Sequence, residues 1–103
     1  MVKYVNYNKE SANKWKDGFD VIPEFIFDCG NKIAREIDKA GFMTEKEVNA
    51  RIKELTGLDI VSPLDRDSIT DIHTIILLAG VKRNYATGDF YTVEYAKGHL
   101  EVK

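Results

Sequence analysis

The sequence predicts an α+β domain in which three main helices precede a C-terminal β-hairpin, with a short strand and a short helix ahead of them. Three observations predict it. Apolar residues recur at steps of three and four in the stretches beginning at Pro23, Thr44 and Ser62; a glycine (Gly41, Gly57, Gly80) closes each stretch; and from Val81 to Tyr95 the period changes to two around a turn. At 103 residues the chain fits one domain spanning 1–103, and a composition 44% hydrophobic and 31% charged is that of a folded chain rather than a disordered one.

Val2 to Tyr7 is rich in aromatic and β-branched residues and alternates, which favours a short strand. Lys9 to Lys16 suits about two helical turns with Ala12 and Trp15 on one side, ended by Asp17-Gly18. The first main helix is predicted over Pro23 to Ala40, with Ile26, Cys29, Ile33, Ile37 and Ala40 along one side and Pro23 in the first turn, where its missing N–H has no partner to lose. Gly30 inside it costs about 1 kcal/mol relative to alanine, so a neighbour packed closely there is expected.

Thr44-Glu45-Lys46-Glu47 is a capping box: the Thr44 hydroxyl accepts from the Glu47 amide while the Glu47 carboxylate reaches back to the Thr44 amide. Val48, Ile52 and Leu55 form the buried stripe of the helix it opens, and Lys46, Asn49 and Lys53 its outer face. Leu58 to Val61 forms a linker expected to tuck against the core. Ser62-Pro63-Leu64-Asp65 then repeats the N-terminal pattern, a serine cap followed by proline. The helix it starts is predicted to run to Ala79, burying Ile69, Ile72, Ile76 and Ala79 with Ile75 and Leu78 at its flanks. After Val81 to Tyr85, the turn Ala86-Thr87-Gly88-Asp89 leads into Phe90 to Tyr95, read as a strand with Tyr91, Val93 and Tyr95 on one face.

From Thr44 to Tyr95 this order resembles the winged helix-turn-helix family, and Glu45-Lys46-Glu47-Val48-Asn49 with Leu77 to Arg83 looks like the close of small bacterial regulator domains. The resemblance covers about half the chain and implies a recognition helix followed by a β wing. Two features depart from it. The link between the second and third helices exceeds the family's three- or four-residue turn. With Ile69, Ile72 and Ile76 inward, the recognition helix offers Asp67, Thr70, Asp71 and Thr74 to its surroundings, and carboxylates at that end repel a phosphate backbone.

The net charge of −2 conceals blocks of opposite sign: +3 over residues 1–16, −4 over 17–28 and −3 over 59–71. A domain held to DNA by phosphate contacts is usually basic, which this chain is not. A basic surface made of Lys82, Arg83, Asn84, Tyr85 and Lys97, or of Lys9, Lys14, Trp15 and Lys16, is the route left to nucleic acid, since cations beside aromatics grip phosphates and stack bases. The block from Asp17 to Asp28 interleaves Asp20, Glu24 and Asp28 with Phe19, Phe25, Ile26 and Phe27. If Ile26 faces the core, Phe27 lies about 100° around the helix and is available beside carboxylates to a basic protein; the competing reading buries all three phenylalanines.

No catalytic or cofactor motif stands out. The aspartates at 65, 67 and 71 fail the spacing of a calcium loop, with Ile76 where its bidentate glutamate belongs. Cys29, the only cysteine, sits on an apolar stripe that predicts an inert thiol, and His73 lies at the edge of another. One cysteine and no hydrophobic leader or membrane-length run make the cytosol the expected compartment, with no membrane partner. The expectation is a small acidic regulatory protein that binds rather than catalyses, with no cofactor or metal. Its partner surface is Asp67, Thr70, Asp71 and Thr74 together with Asp20, Glu24, Asp28 and Phe27. An inhibitor of a nucleic-acid enzyme, of the small acidic kind phages and mobile elements encode, is one form of it; the alternative is a winged-helix regulator using the wing and N-terminal lysines. Dimerisation through Phe25, Phe27 or the hairpin edge is a further route to assembly.

Overall fold

Isoleucines from three helices form the core, and the helices differ in which other residues they leave outside. The structure is a computed structural model that describes residues 2–7 and 22–99. In chain order these form helix α1 (Glu24–Ala40), strand β1 (Phe42–Met43), helices α2 (Glu45–Thr56) and α3 (Arg66–Leu78), strands β2 (Lys82–Arg83) and β3 (Phe90–Tyr91), and helix α4 (Val93–His99). The predicted helix from Lys9 to Lys16, with Lys14, Trp15 and Lys16, and the acidic residues Asp17 and Asp20 lie outside the described residues.

One apolar cluster joins the elements: Ile26, Ile33 and Ile37 of α1, Val48 and Ile52 of α2, Ile69, Ile72, Ile75 and Ile76 of α3, and Val81 and Phe90 of the sheet. The α1–α3 contact is closest at Gly30, where a Cβ atom would stand 2.5 Å from Ile75 Cβ and 3.2 Å from the Ile72 carbonyl oxygen. Helix propensity disfavours glycine there, so the close approach of α3 is what the residue permits.

The hairpin forms, and a strand that the sequence reading lacked joins it. β3 is central, paired antiparallel with β2 (Arg83 opposite Phe90) and with β1 (Met43 opposite Phe90). Helix, strand, two helices and a hairpin is thus the order of an α+β fold with its sheet completed near the C-terminal end. Two residues are too short to show an alternation, which is why β1 has no signature beyond Phe42 following Gly41, the left-handed residue that ends α1 at φ 85°.

The capping box at Thr44 is formed, with both reciprocal bonds present. Five other expectations change. Phe90 to Tyr95 is not one strand: the chain alternates as far as Thr92, whose hydroxyl then accepts from the Tyr95 amide at 3.1 Å and starts α4. A threonine that caps outweighs two residues of alternation. The third helix starts at Arg66 rather than at Ser62-Pro63, because the Asp65 amide closes a tight turn onto the Ser62 carbonyl at 3.0 Å. Val2 to Tyr7 does not join the sheet. Instead Asn31 receives it, accepting from the Val5 amide at 2.7 Å and donating to the Val5 carbonyl at 2.9 Å, while the Lys3 amide donates to the Ala79 carbonyl at 2.8 Å. A buried asparagine on a helix here takes the place of a neighbouring strand. Finally, Ala40 is exposed, and Pro23 is the N-cap of α1 rather than its first residue.

Gly30→Ala tests the crossing. The alanine gains about 1 kcal/mol of helix propensity but meets a branched side chain that cannot withdraw, an overpacking cost of about 1–3 kcal/mol. The expected net result is a loss of about 1 kcal/mol, read as a lower denaturant midpoint at unchanged slope; a stabilised variant would contradict the packing described.

Candidate partner-binding face

The orientation of α3 sets the chemistry of its outer side. Ile69, Ile72, Ile75 and Ile76 are fully buried, so Asp67, Thr70 and Thr74 are exposed on the opposite side with Asp71 half-buried beside them. The Thr74 hydroxyl donates to the Thr70 carbonyl at 3.1 Å, an i to i−4 bond that holds it against the helix. The four residues named from the sequence therefore lie together, on a helix face whose charge is negative.

The loop leading into that face, residues 57–65, is ordered by its own polar groups. The Asp59 carboxylate accepts from the Val61 amide at 3.1 Å and pairs with Lys53 at 3.0 Å, and these hold its ionisation below the usual carboxylate range, the amide contributing most. The Asp65 carboxylate, instead of capping α3, accepts from the Asp59 amide at 3.0 Å. The Thr56 hydroxyl accepts from the Leu58 amide at 3.1 Å. Leu58 packs against the core. Ile60 and Val61 do not tuck in as expected: they are 41% and 75% exposed, and Leu64 is 91% exposed. The turns that keep the backbone bonded point these side chains away from the core.

Beneath the face, α3 is tied to α2 and the hairpin through His73, which is buried rather than at an edge. Its Nε2 lies 2.8 Å from Asn49 Oδ1 of α2, the contact of a neutral ring donating from Nε2, and its ring centroid lies 5.3 Å from that of Phe90. Burial, and secondarily the Arg83 cation, push its pKa down to about 4. Asn49 was legible in the sequence only as an outer-face residue of α2; nothing in its spacing reveals the partner.

Of the five residues of the hairpin's basic surface, the fold takes up Arg83 and Asn84. Arg83 is withdrawn: its side chain is only 19% exposed, it reaches Glu45 Oε2 at 2.5 Å, and its guanidinium lies 5.0 Å from the Phe90 ring centre. Asn84 is spent on the turn, accepting from the Ala86 amide through its side chain and from the Gly88 amide through its carbonyl. Lys82, Tyr85 and Lys97 are exposed, Lys97 on α4. Lys14 and Lys16 fall outside the described residues.

The second acidic block divides. Glu24 and Asp28 are exposed on the first turns of α1, but Phe27 is 1% exposed, with its ring edge-on to Tyr7 at 5.3 Å. It belongs to the core and is not a contact residue; Phe25 is the exposed one. The step of 100° that separates Phe27 from Ile26 leads it onto the N-terminal segment rather than into water, a cover that α1 alone does not reveal. Asp20 lies outside the described residues. Cys29 is buried, and desolvation pushes its thiol up to about 11, so it is protonated and unreactive at neutral pH. Among the described residues no three metal-binding side chains converge and no helix is long and apolar enough to cross a membrane. No protein-family model, curated protein or solved structure matches the chain.

His73 predicts a pH dependence. Its folded pKa lies below the ordinary 6.5, so between pH 6.5 and about 4 the unfolded chain binds a proton that the folded chain refuses, and stability falls as pH falls through that window. The expected loss is about 2 kcal/mol between pH 7 and pH 5, above the range in which most carboxylates titrate. Urea unfolding at the two pH values measures it, and His73→Gln, which keeps a donor for Asn49 and has no charge to gain, is expected to remove most of the difference.

Proposed function

We propose that the chain is a small non-catalytic regulatory module that binds a basic protein surface through the outward side of α3, with Asp67, Thr70, Asp71 and Thr74 as contacts and Glu24 and Asp28 as a second acidic area. The observation that carries the reading is the orientation of α3. The helix that a winged-helix regulator lays in the major groove here turns carboxylates outward, and a phosphate backbone would meet like charge. The same face suits lysine and arginine side chains of a protein, for which exposed carboxylates steer encounter and set register. Inhibition of a nucleic-acid enzyme by occupying its basic surface, as small acidic proteins of phages and mobile elements do, is one form of the proposal, supported by size and charge. Cytoplasmic action fits the free, buried thiol of Cys29.

A nucleic-acid-binding regulator is the competing proposal, and Tyr85 favours it: the ring is 80% exposed in the hairpin turn, three residues after the exposed Lys82 and 5.8 Å from the Arg83 guanidinium. Against it, the Arg83 charge is engaged by Glu45.

Backbone amide NMR separates the two. Addition of an arginine-rich peptide is expected to shift resonances around Asp67 to Thr74, and Asp67→Lys with Asp71→Lys to abolish the response. Duplex DNA and single-stranded RNA at about 0.15 M salt are expected to leave the spectrum unchanged. Salt-dependent shifts at Lys82 to Tyr85 on adding either nucleic acid, with none on α3 on adding the peptide, would replace the first reading by the second.

A further inference from the structure

The loop between α2 and α3 combines two properties that rarely coincide without a purpose: its side chains are apolar and in water, and its backbone is held in place. Ile60, Val61 and Leu64 are exposed within five residues of one another. An apolar loop that is exposed only because it lacks structure would have unbonded amides. Here the amides of Leu58, Asp59, Val61, Ser62 and Asp65 each donate to an oxygen of Thr56, Asp65, Asp59, Asp59 and Ser62 in turn, at 2.9–3.1 Å. Exposed apolar groups on a rigid support gain free energy when a partner covers them, and little ordering cost opposes the gain.

The surrounding charge indicates what covers them. From Lys53 to Asp71 there are two cations, Lys53 and Arg66, against the five carboxylates of Glu54, Asp59, Asp65, Asp67 and Asp71, of which Glu54 is paired with Arg51 at 3.3 Å. Lys53 is paired with Asp59, and Arg66 turns its Nε toward the Ile60 carbonyl at 3.4 Å. Leu64 precedes Asp67 by three residues and Asp71 by seven, so the apolar tip and the acidic side of α3 adjoin. A second copy meeting this surface with the same surface would bring two negative rims together, which is unfavourable; a membrane whose surface carries anionic lipid is repelled in the same way.

We infer that the tip formed by Ile60, Val61 and Leu64 is an apolar plug that seats in a hydrophobic pocket of a protein partner, the pocket being rimmed by lysine or arginine side chains that meet Asp67 and Asp71. The inference rests on the proposed basic partner and adds to it an anchor outside the helix: the carboxylates align the complex, and the plug supplies the central buried contact by which most interfaces hold. Neither the element order nor the charge pattern requires such an anchor.

Selection of a random peptide display library on the whole chain tests it, with free peptides then titrated against the wild type, Val61→Ser with Leu64→Ser, and Asp67→Lys with Asp71→Lys. Because Val61 and Leu64 are exposed, the serine variant is expected to keep the wild-type melting temperature and circular dichroism. Enriched peptides are expected to combine lysine or arginine with leucine, phenylalanine or tryptophan, and to lose at least tenfold in affinity to each double variant. Cationic peptides that bind the serine variant as tightly as the wild type would overturn the plug and leave the basic-partner reading standing. Apolar peptides without cations, weakened by the serines but not by the lysines, would overturn the basic rim and that reading with it. Failure to enrich any peptide would overturn the plug, as would concentration-dependent dimerisation in sedimentation that the serine variant abolishes, since the occupant would then be a second copy.

Discussion

The close crossing of α1 and α3 is the constraint from which the other features follow. Glycine at position 30 lets the Ile75 side chain rest directly on the α1 backbone, and α3 can come that near only by turning Ile69, Ile72, Ile75 and Ile76 inward together. Once they are inside, rotation of α3 about its axis is fixed: any other setting would take branched side chains, each contributing about 1.5–3 kcal/mol when buried, back into water. Asp67, Thr70 and Thr74 are outside because the isoleucines are inside. The surface chemistry of the helix is thus a consequence of core packing, and the sign of the charge it shows is read from that packing without reference to any ligand.

A second linkage runs through polar groups, of which His73 is buried and its neighbours are partly exposed. Asn49 and His73 join α2 to α3, Glu45 and Arg83 join α2 to the hairpin, and Arg83 and His73 both lie against Phe90. Burial and the neighbouring Arg83 cation both favour the neutral ring of His73, and the Nε2 donor that Asn49 accepts is available in that form. Glu36 and Arg51 form a further pair between α1 and α2, and the guanidinium, bonded at 2.6 and 2.8 Å, holds that carboxylate below its usual range. These contacts cross between elements that the apolar cluster already joins, and they specify register more than they add stability. They also draw the hairpin's arginine away from the surface, so the hairpin loses a charge that a phosphate-binding surface would use.

Helices α1 to α3, the capping box at Thr44, most of the buried isoleucines and the composition of the α3 face were legible because each depends on residues within one or two turns of the chain; Ile75, expected at a flank, is instead fully buried because Gly30 of α1 admits it. What the sequence concealed depends on distant partners. Asn31 can be identified as the receiver of Val5 only once the two are adjacent, although they are 26 residues apart. The partnership of Glu45 with Arg83 spans 38 residues, and without it Arg83 reads as an exposed cation. Phe27 looked available because a helical wheel knows nothing of Tyr7. The end of β3 shows the opposite failure: the capping signal at Thr92 is local, but it competed with an equally local alternation in Phe90 to Tyr95, and two short-range patterns of opposite meaning cannot be ranked without the packing of Ala96.

The loop before α3 shows how a polar framework can serve an apolar end. Asp59 and Asp65 lie where either could act as an ordinary surface charge, and both instead accept backbone amides of the loop, with Lys53 completing the set. Asp65 forgoes the side-chain cap that its position at the start of α3 would offer, which costs that helix end about 1 kcal/mol. The bond it makes instead fixes the turn that carries Val61 and Leu64. The same framework seats Leu58 against the core but leaves Ile60, Val61 and Leu64 in water, where they contribute nothing to it. The exchange becomes favourable when something else buries them, and the rigidity of the loop then lowers the ordering cost of binding. In this chain, the uncapped head of α3 and the apolar surface left uncovered beside it are two aspects of one arrangement, and the proposed complex would compensate both.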